Sequence, residues 1–190
     1  MKKILIVNAH PLAGSFCDAI VEHFVAGINS ENQQVKTVCL RDLKFDPILH
    51  GGYRNPTELE PDLRMAQDYI SWSDHIVWIF PIWWGEMPAL LKGFIDRTFL
   101  PGFAFRYKKD SPMWDRLLKG RTTSIITTMD APVWYHRWIM GGHGIRSMNK
   151  FILRFCGLKL NRVTYFGSMR FSTDEQRKKM LEKVSRLASK

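Results

Sequence analysis

Two stretches of this chain are apolar at every consecutive position, Ile4-Leu-Ile-Val7 and Ile76-Val-Trp-Ile-Phe80, and both are rich in β-branched residues. A strand with one face in water alternates polar and apolar side chains, whereas an unbroken short run is the pattern of a strand covered on both faces. A sheet buried on both sides is a parallel sheet, whose crossovers are helices. The rest of the chain fits that constraint. Phe16, Ala19, Ile20, Phe24 and Ile28 recur at helical spacing after the first run, and Gln34–Leu40 is strand-like. Helical patterning returns over Leu63–Ser73, ahead of the strand His75–Phe80. Met87, Leu90, Leu91, Phe94 and Ile95 then line one face of a helix that starts near Pro88. Thr122–Thr128 and Arg162–Phe166 are the fourth and fifth strands. Ser172-Thr-Asp-Glu175 is a capping-box pattern ahead of a last helix carrying Met180, Leu181, Val184 and Leu187. This alternation predicts an α/β fold, a doubly wound five-stranded parallel sheet with helices on both faces. Arg41–Pro61, polar and punctuated by Pro and Gly, is an excursion from the sheet rather than a linker.

At 190 residues the chain is expected to form one domain spanning residues 1–190. A ligand would then sit on that fold or between subunits. No apolar run approaches the roughly 20 residues of a membrane span, and the N-terminus lacks the pattern of a secretory signal. Cys17, Cys39 and Cys156 are widely spaced and form no CxxC, which speaks against a disulfide framework and a zinc site and for a reducing, cytoplasmic setting. The net charge of +10 is concentrated after His136, where 13 basic residues meet 3 acidic ones. Such an end reads either as a solvated basic helix face or as a surface for phosphate or anionic membrane. No nucleic-acid-binding signature accompanies it, so no nucleic-acid partner is expected.

In an open parallel sheet ligands bind beyond the carboxyl ends of the strands, which directs attention to the loops after Asn8, Phe80 and Thr128. The first, Asn8-Ala-His-Pro-Leu-Ala-Gly-Ser15, is a small polar turn at a helix N-terminus, where backbone N–H groups favour a phosphate. Ser15 has a second reading as the helix N-cap, and Cys17 reads as a packed thiol or one with a lowered pKa. The loop is neither GxGxxG nor GxxxxGK[ST], which disfavours a dinucleotide fingerprint and a P-loop. The second, Phe80-Pro-Ile-Trp-Trp-Gly-Glu-Met-Pro88, sets aromatics directly after a buried strand, either to cover a planar ligand or to pack on a neighbouring helix or subunit. The third offers Tyr135, His136 and His143 as donors among aromatics.

Taken together, Asn8-Ala-His-Pro11 with Gly14-Ser-Phe16, Phe80-Pro-Ile-Trp-Trp84, Met87-Pro-Ala-Leu-Leu-Lys-Gly-Phe-Ile-Asp-Arg-Thr-Phe99 and Pro101-Gly-Phe-Ala-Phe105 resemble the NAD(P)H:quinone oxidoreductase branch of the flavodoxin-like superfamily. The resemblance implies bound FMN or FAD, hydride from NADH or NADPH, and two electrons passed to a quinone-like acceptor. By it His10, Ser15, Phe16 and Cys17 flank the flavin phosphate, and Pro81, Ile82, Trp83 and Trp84 the isoalloxazine. Thr127, Thr128, Met129 and Asp130 would flank the pyrimidine side, with Tyr135 and His143 as catalytic donors. It also implies a homodimer with the active site at the subunit boundary. A regulatory alternative is a flavin-bearing ancillary subunit of a potassium-efflux system, whose basic C-terminal region would meet a membrane protein.

Overall fold

The computed structural model describes residues 1–55 and 57–189. Its main sheet is five-stranded and parallel, with spatial order β2-β1-β3-β6-β7. The strands are β1 (Lys2–Asn8), β2 (Gln33–Cys39), β3 (His75–Pro81), β6 (Thr122–Thr128) and β7 (Lys159–Phe166). β1 shows why an unbroken apolar run was needed. Ile4 and Ile6 face a cluster built with Cys17, Ile20 and Phe24 of helix α1 (Phe16–Ala26) and Val184 and Ala188 of helix α6 (Asp174–Ala188). Leu5 and Val7 face the opposite cluster. There they meet Leu63, Ala66 and Ile70 of α2 (Pro61–Trp72) and Leu91, Phe94 and Ile95 of α3 (Ala89–Thr98). The chain runs outward from β1 to β2 and returns on the other side of β1 as β3, so the switch point lies between β1 and β3.

The strand and helix pattern is as expected, with informative differences. β7 begins at Lys159 rather than Arg162, because a bulge inserts Asn161 between the residues paired with Thr123 and Ser124 and hides the alternation. The last helix is capped one residue later than its sequence pattern suggests. Thr173 accepts from the Gln176 N–H, and Gln176 reaches back to the Thr173 N–H. Ser172 instead donates to the Met169 carbonyl. Both Ser172-x-x-Glu175 and Thr173-x-x-Gln176 satisfy the capping rule, so spacing does not choose between them. A short antiparallel hairpin, β4 (Phe105–Tyr107) and β5 (Trp114–Arg116), had no clear sequence signal.

Between β6 and β7 the crossover is helical but irregular. A π-helical turn at Tyr135–Ile139 precedes α4 (His143–Ser147), a second π turn at Met148–Leu153 and the short α5 (Arg154–Cys156). Such turns break the 3.6-residue period that sequence reading depends on. The Arg41–Pro61 excursion is tied to α3 by the fully buried Arg97. Its guanidinium donates to the Asp46 and Glu58 carbonyls and pairs with the Glu60 carboxylate at 2.7 Å.

Candidate functional site

The carboxyl ends of β1, β3, β6 and β7 open onto one cavity of about 900 Å3. The ladder continues past the strands and fixes its floor. The Ala9 N–H donates to Ile79, Ile82 to Thr128 and Met129 to Phe166, at 2.8 to 2.9 Å. His10 and Phe16 form the wall on the β1 side. Buried Asn8 shapes that loop: its side-chain oxygen accepts the His10 N–H at 3.1 Å, and its amide donates to Asp18. The His10 Nδ1 accepts the Leu12 N–H at 3.1 Å, which leaves the ring proton on Nε2. Desolvation lowers the His10 pKa, keeping it a neutral donor.

The β3 loop makes the aromatic wall. Trp83 and Glu86 close a tight turn with two reciprocal backbone bonds, and inside it Trp84 has φ +52° and Gly85 φ +81°. A left-handed tryptophan is strained, and strain of this kind collects at functional sites. Trp84 is fully exposed, with a relative accessibility of 102%, and Trp83 is half-exposed with its ring edge-on to His10 at 5.7 Å. Neither lies in the core clusters, so packing on a helix is not what holds them here. The turn is seated on Gly144 of α4, where a Cβ would lie 2.5 Å from the Gly85 carbonyl oxygen. That contact accounts for Gly144, while Gly141 and Gly142 take the left-handed backbone with φ +73° and +57°.

Thr128, Met129, Asp130 and Ala131 line the cavity after β6, and His136 and Met140 beyond them. His136 is only 2% exposed, and its Nε2 has no partner among the described residues. Burial lowers its pKa and holds the ring neutral. From the β7 side come Met169, Arg170 and Arg177. Arg177 is oriented by the Ser172 hydroxyl at 2.9 Å and the Met169 carbonyl at 3.2 Å. Among the described residues neither arginine has an acidic partner within 4.0 Å.

The structure thus brings together His10, Phe16, Pro81, Ile82, Trp83, Trp84, Thr128, Met129 and Asp130 of the expected set. Ser15, Cys17, Thr127, Tyr135 and His143 do not line the cavity, each for a physical reason. Ser15 caps α1, with its N–H and hydroxyl both directed at the Asp18 carboxylate. Burial would push that carboxyl up, but hydrogen bonds from Arg41 and the Ser15 N–H hold it below the usual range. The start of α1 therefore already carries an anion of its own. Cys17 packs in the α1 cluster, and burial pushes its thiol up to about 12, which makes it inert. The Thr127 hydroxyl is spent on the Phe80 carbonyl at 2.8 Å. Tyr135 is half-exposed and lies edge-on to Trp134, and His143 is exposed over Gly141. Arg137 and Arg146 likewise stand off the cavity, so its positive charge is that of Arg170 and Arg177. These two are legible by the same rule, because they follow the carboxyl end of the fifth strand of the sheet.

A family model described as the flavodoxin-like fold matches residues 2–189. The chain belongs to that family. The "Uncharacterized NAD(P)H oxidoreductase" of Haemophilus influenzae is 29% identical over 94% of this chain and 90% of its own. The "NAD(P)H dehydrogenase [quinone] 1" of Rattus norvegicus is 26% identical, over 96% of this chain and 74% of its own. The crystal structure of Smu.1420 from Streptococcus mutans superposes with a TM-score of 0.80 at 32% identity, covering 98% of both chains. The cavity described above thus lies on a flavodoxin-like scaffold whose curated relatives are named as NAD(P)H-linked oxidoreductases.

Proposed function

We propose that this protein is an NAD(P)H-dependent oxidoreductase that binds a flavin, preferably FMN, in the cavity at the β1/β3 switch point and passes two electrons to a quinone-like acceptor. The observation that carries the reading is the composition of one cavity wall against the other. An aromatic, strained turn at Trp83 and Trp84 faces a rim with the unpaired cations Arg170 and Arg177. That pairing suits a ligand with a planar ring at one end and phosphate at the other, and the volume lies in the range of cofactor sites. The unpartnered Nε2 of buried His136 is a second sign of fit, because a buried polar atom without a partner is costly unless a ligand satisfies it. The identities of the curated relatives support NAD(P)H as donor.

A bound flavin supplies the two-electron chemistry itself. The chain's part is placement and charge. Ile82, Trp83, Thr128, Met129 and Asp130 line the cavity and would hold the ring system and keep water from it. His10, neutral with its proton on Nε2, would donate a hydrogen bond to the bound group, and Arg170 and Arg177 would balance phosphate charge. Trp84 lines the cavity, and exposed Trp134, Trp138, Ile139 and Phe171 each lie within two residues of a lining residue in sequence. They support a homodimer in which a second copy covers the cavity mouth. The reading is tested by Arg177→Ala. It is expected to weaken FMN binding at least about tenfold and to spare the fold, since a charged hydrogen bond contributes roughly 1.5–3 kcal/mol. Unchanged FMN affinity in this variant would remove Arg177 from the site.

A further inference from the structure

A second concentration of positive charge lies at the opposite end of the sheet. Arg116 of β5, Arg154 of α5 and Lys159 at the start of β7 converge on a cavity of about 400 Å3, together with Asn149 and Gly157. Among the described residues none of the three cations has a carboxylate within 4.0 Å. The sequence makes this systematic: between Arg116 and Asp174 the one acidic residue is Asp130, which lines the other cavity. A surface shaped only for solubility interleaves both signs.

The clustering is built by the backbone and not by the chance drift of long side chains. Gly157 ends α5 with φ +97°, and a Cβ there would sit 3.0 Å from both the Lys119 backbone nitrogen and the Arg116 Cβ. Only glycine lets the β5–β6 connection close on α5 so tightly. The approach is then locked by the Leu118 N–H on the Cys156 carbonyl at 3.0 Å and the Lys159 N–H on the Arg121 carbonyl at 3.1 Å. Nearby amides are also spent, Gly157 on Arg154 and Leu158 on Leu153, so recognition falls to the side chains. Like charges forced together with no acid to offset them are stabilised by a bound anion, and two guanidiniums suit phosphoryl oxygens.

We propose that this cavity is a phosphoryl-anion site, separate from the flavin cavity and independent of that assignment. Its ligand bears a phosphoryl group, delivered either as a free polyphosphate or as the headgroup of an anionic lipid.

The test uses the full chain as purified, with inorganic pyrophosphate titrated by calorimetry at low ionic strength. In parallel, vesicles of phosphatidylcholine with and without phosphatidylglycerol are assayed by cosedimentation. Arg154→Glu and the double variant Arg116→Ala/Lys159→Ala change exposed side chains, and circular dichroism confirms their folding. Saturable pyrophosphate binding that falls at least about tenfold in both variants, and not in Arg177→Ala, supports the site with a free phosphate as its source. Binding to the phosphatidylglycerol vesicles alone, lost in the same variants, supports it with a lipid source. The proposal is overturned if neither probe binds, if binding survives in both variants, or if Arg177→Ala abolishes it instead.

Discussion

Trp84 concentrates the case at the residue scale: a bulky aromatic held at φ +52° with its whole side chain in solvent gains nothing from the fold. Trp84→Ala is therefore expected to leave urea stability within about 0.5 kcal/mol of wild type. The same change is expected to weaken FMN binding or slow turnover, and lost stability with intact binding would assign the residue to packing. His136, the buried ring at the cavity wall, yields a sharper contrast with its neighbour. His136→Leu should slow flavin reduction in stopped flow by about tenfold, within the range for loss of a positioned donor. Tyr135→Phe should not, because Tyr135 stands off the cavity. Equal slowing in both variants would restore Tyr135 to the site.

His75 governs a different property. It is buried against Thr122, 2.7 Å from Nδ1 to the hydroxyl, and burial together with the Lys2 charge lowers its pKa to about 4. The unfolded chain binds this proton near the ordinary 6.5 and the native state does not, so stability is full above that value and falls as the pH drops toward 4. The loss is about 2–3 kcal/mol between pH 7 and 4.5. Urea denaturation of wild type and His75→Gln across that window checks it, since the slope should flatten in the variant.

At the scale of elements, legibility followed periodicity. β1 and β3 were readable because both faces of the sheet demand apolar side chains, and α1, α2 and α3 because their buried residues keep helical spacing. The π turns at Tyr135–Ile139 and Met148–Leu153 obey neither period, so spacing does not show that His136 lines the cavity while Tyr135 and His143 stand off it. Residue types alone made all three equivalent donors, and only the irregular backbone distinguishes the one that enters the cavity wall. The Asp18 carboxylate at the start of α1 was hidden for another reason. Its partners Asn8, Ser15 and Arg41 are brought to it by tertiary structure. Arg97 supplies the element-scale prediction. Arg97→Ala should destabilise by about 3 kcal/mol, because it unties the excursion from α3 and strips Glu60 of its partner. FMN affinity per folded molecule should be unchanged, as neither residue lines the cavity.

For the whole molecule, the strands bring four loops from separate parts of the sequence to one end of the sheet and gather a basic cluster at the other. A homodimer closing the first end would sediment at twice the 22.2 kDa of the chain and shield Trp84 and Trp138 from quenchers. The flavin is the claim on which the functional reading depends, and the purified protein's absorption spectrum, with the released chromophore identified by mass, tests it most directly. The expected result is a yellow protein carrying FMN. Adding FMN to the stripped protein at 100 times its Kd should then stabilise the fold by about 2.7 kcal/mol. A colourless protein whose thermal midpoint is unmoved by either FMN or FAD would contradict it.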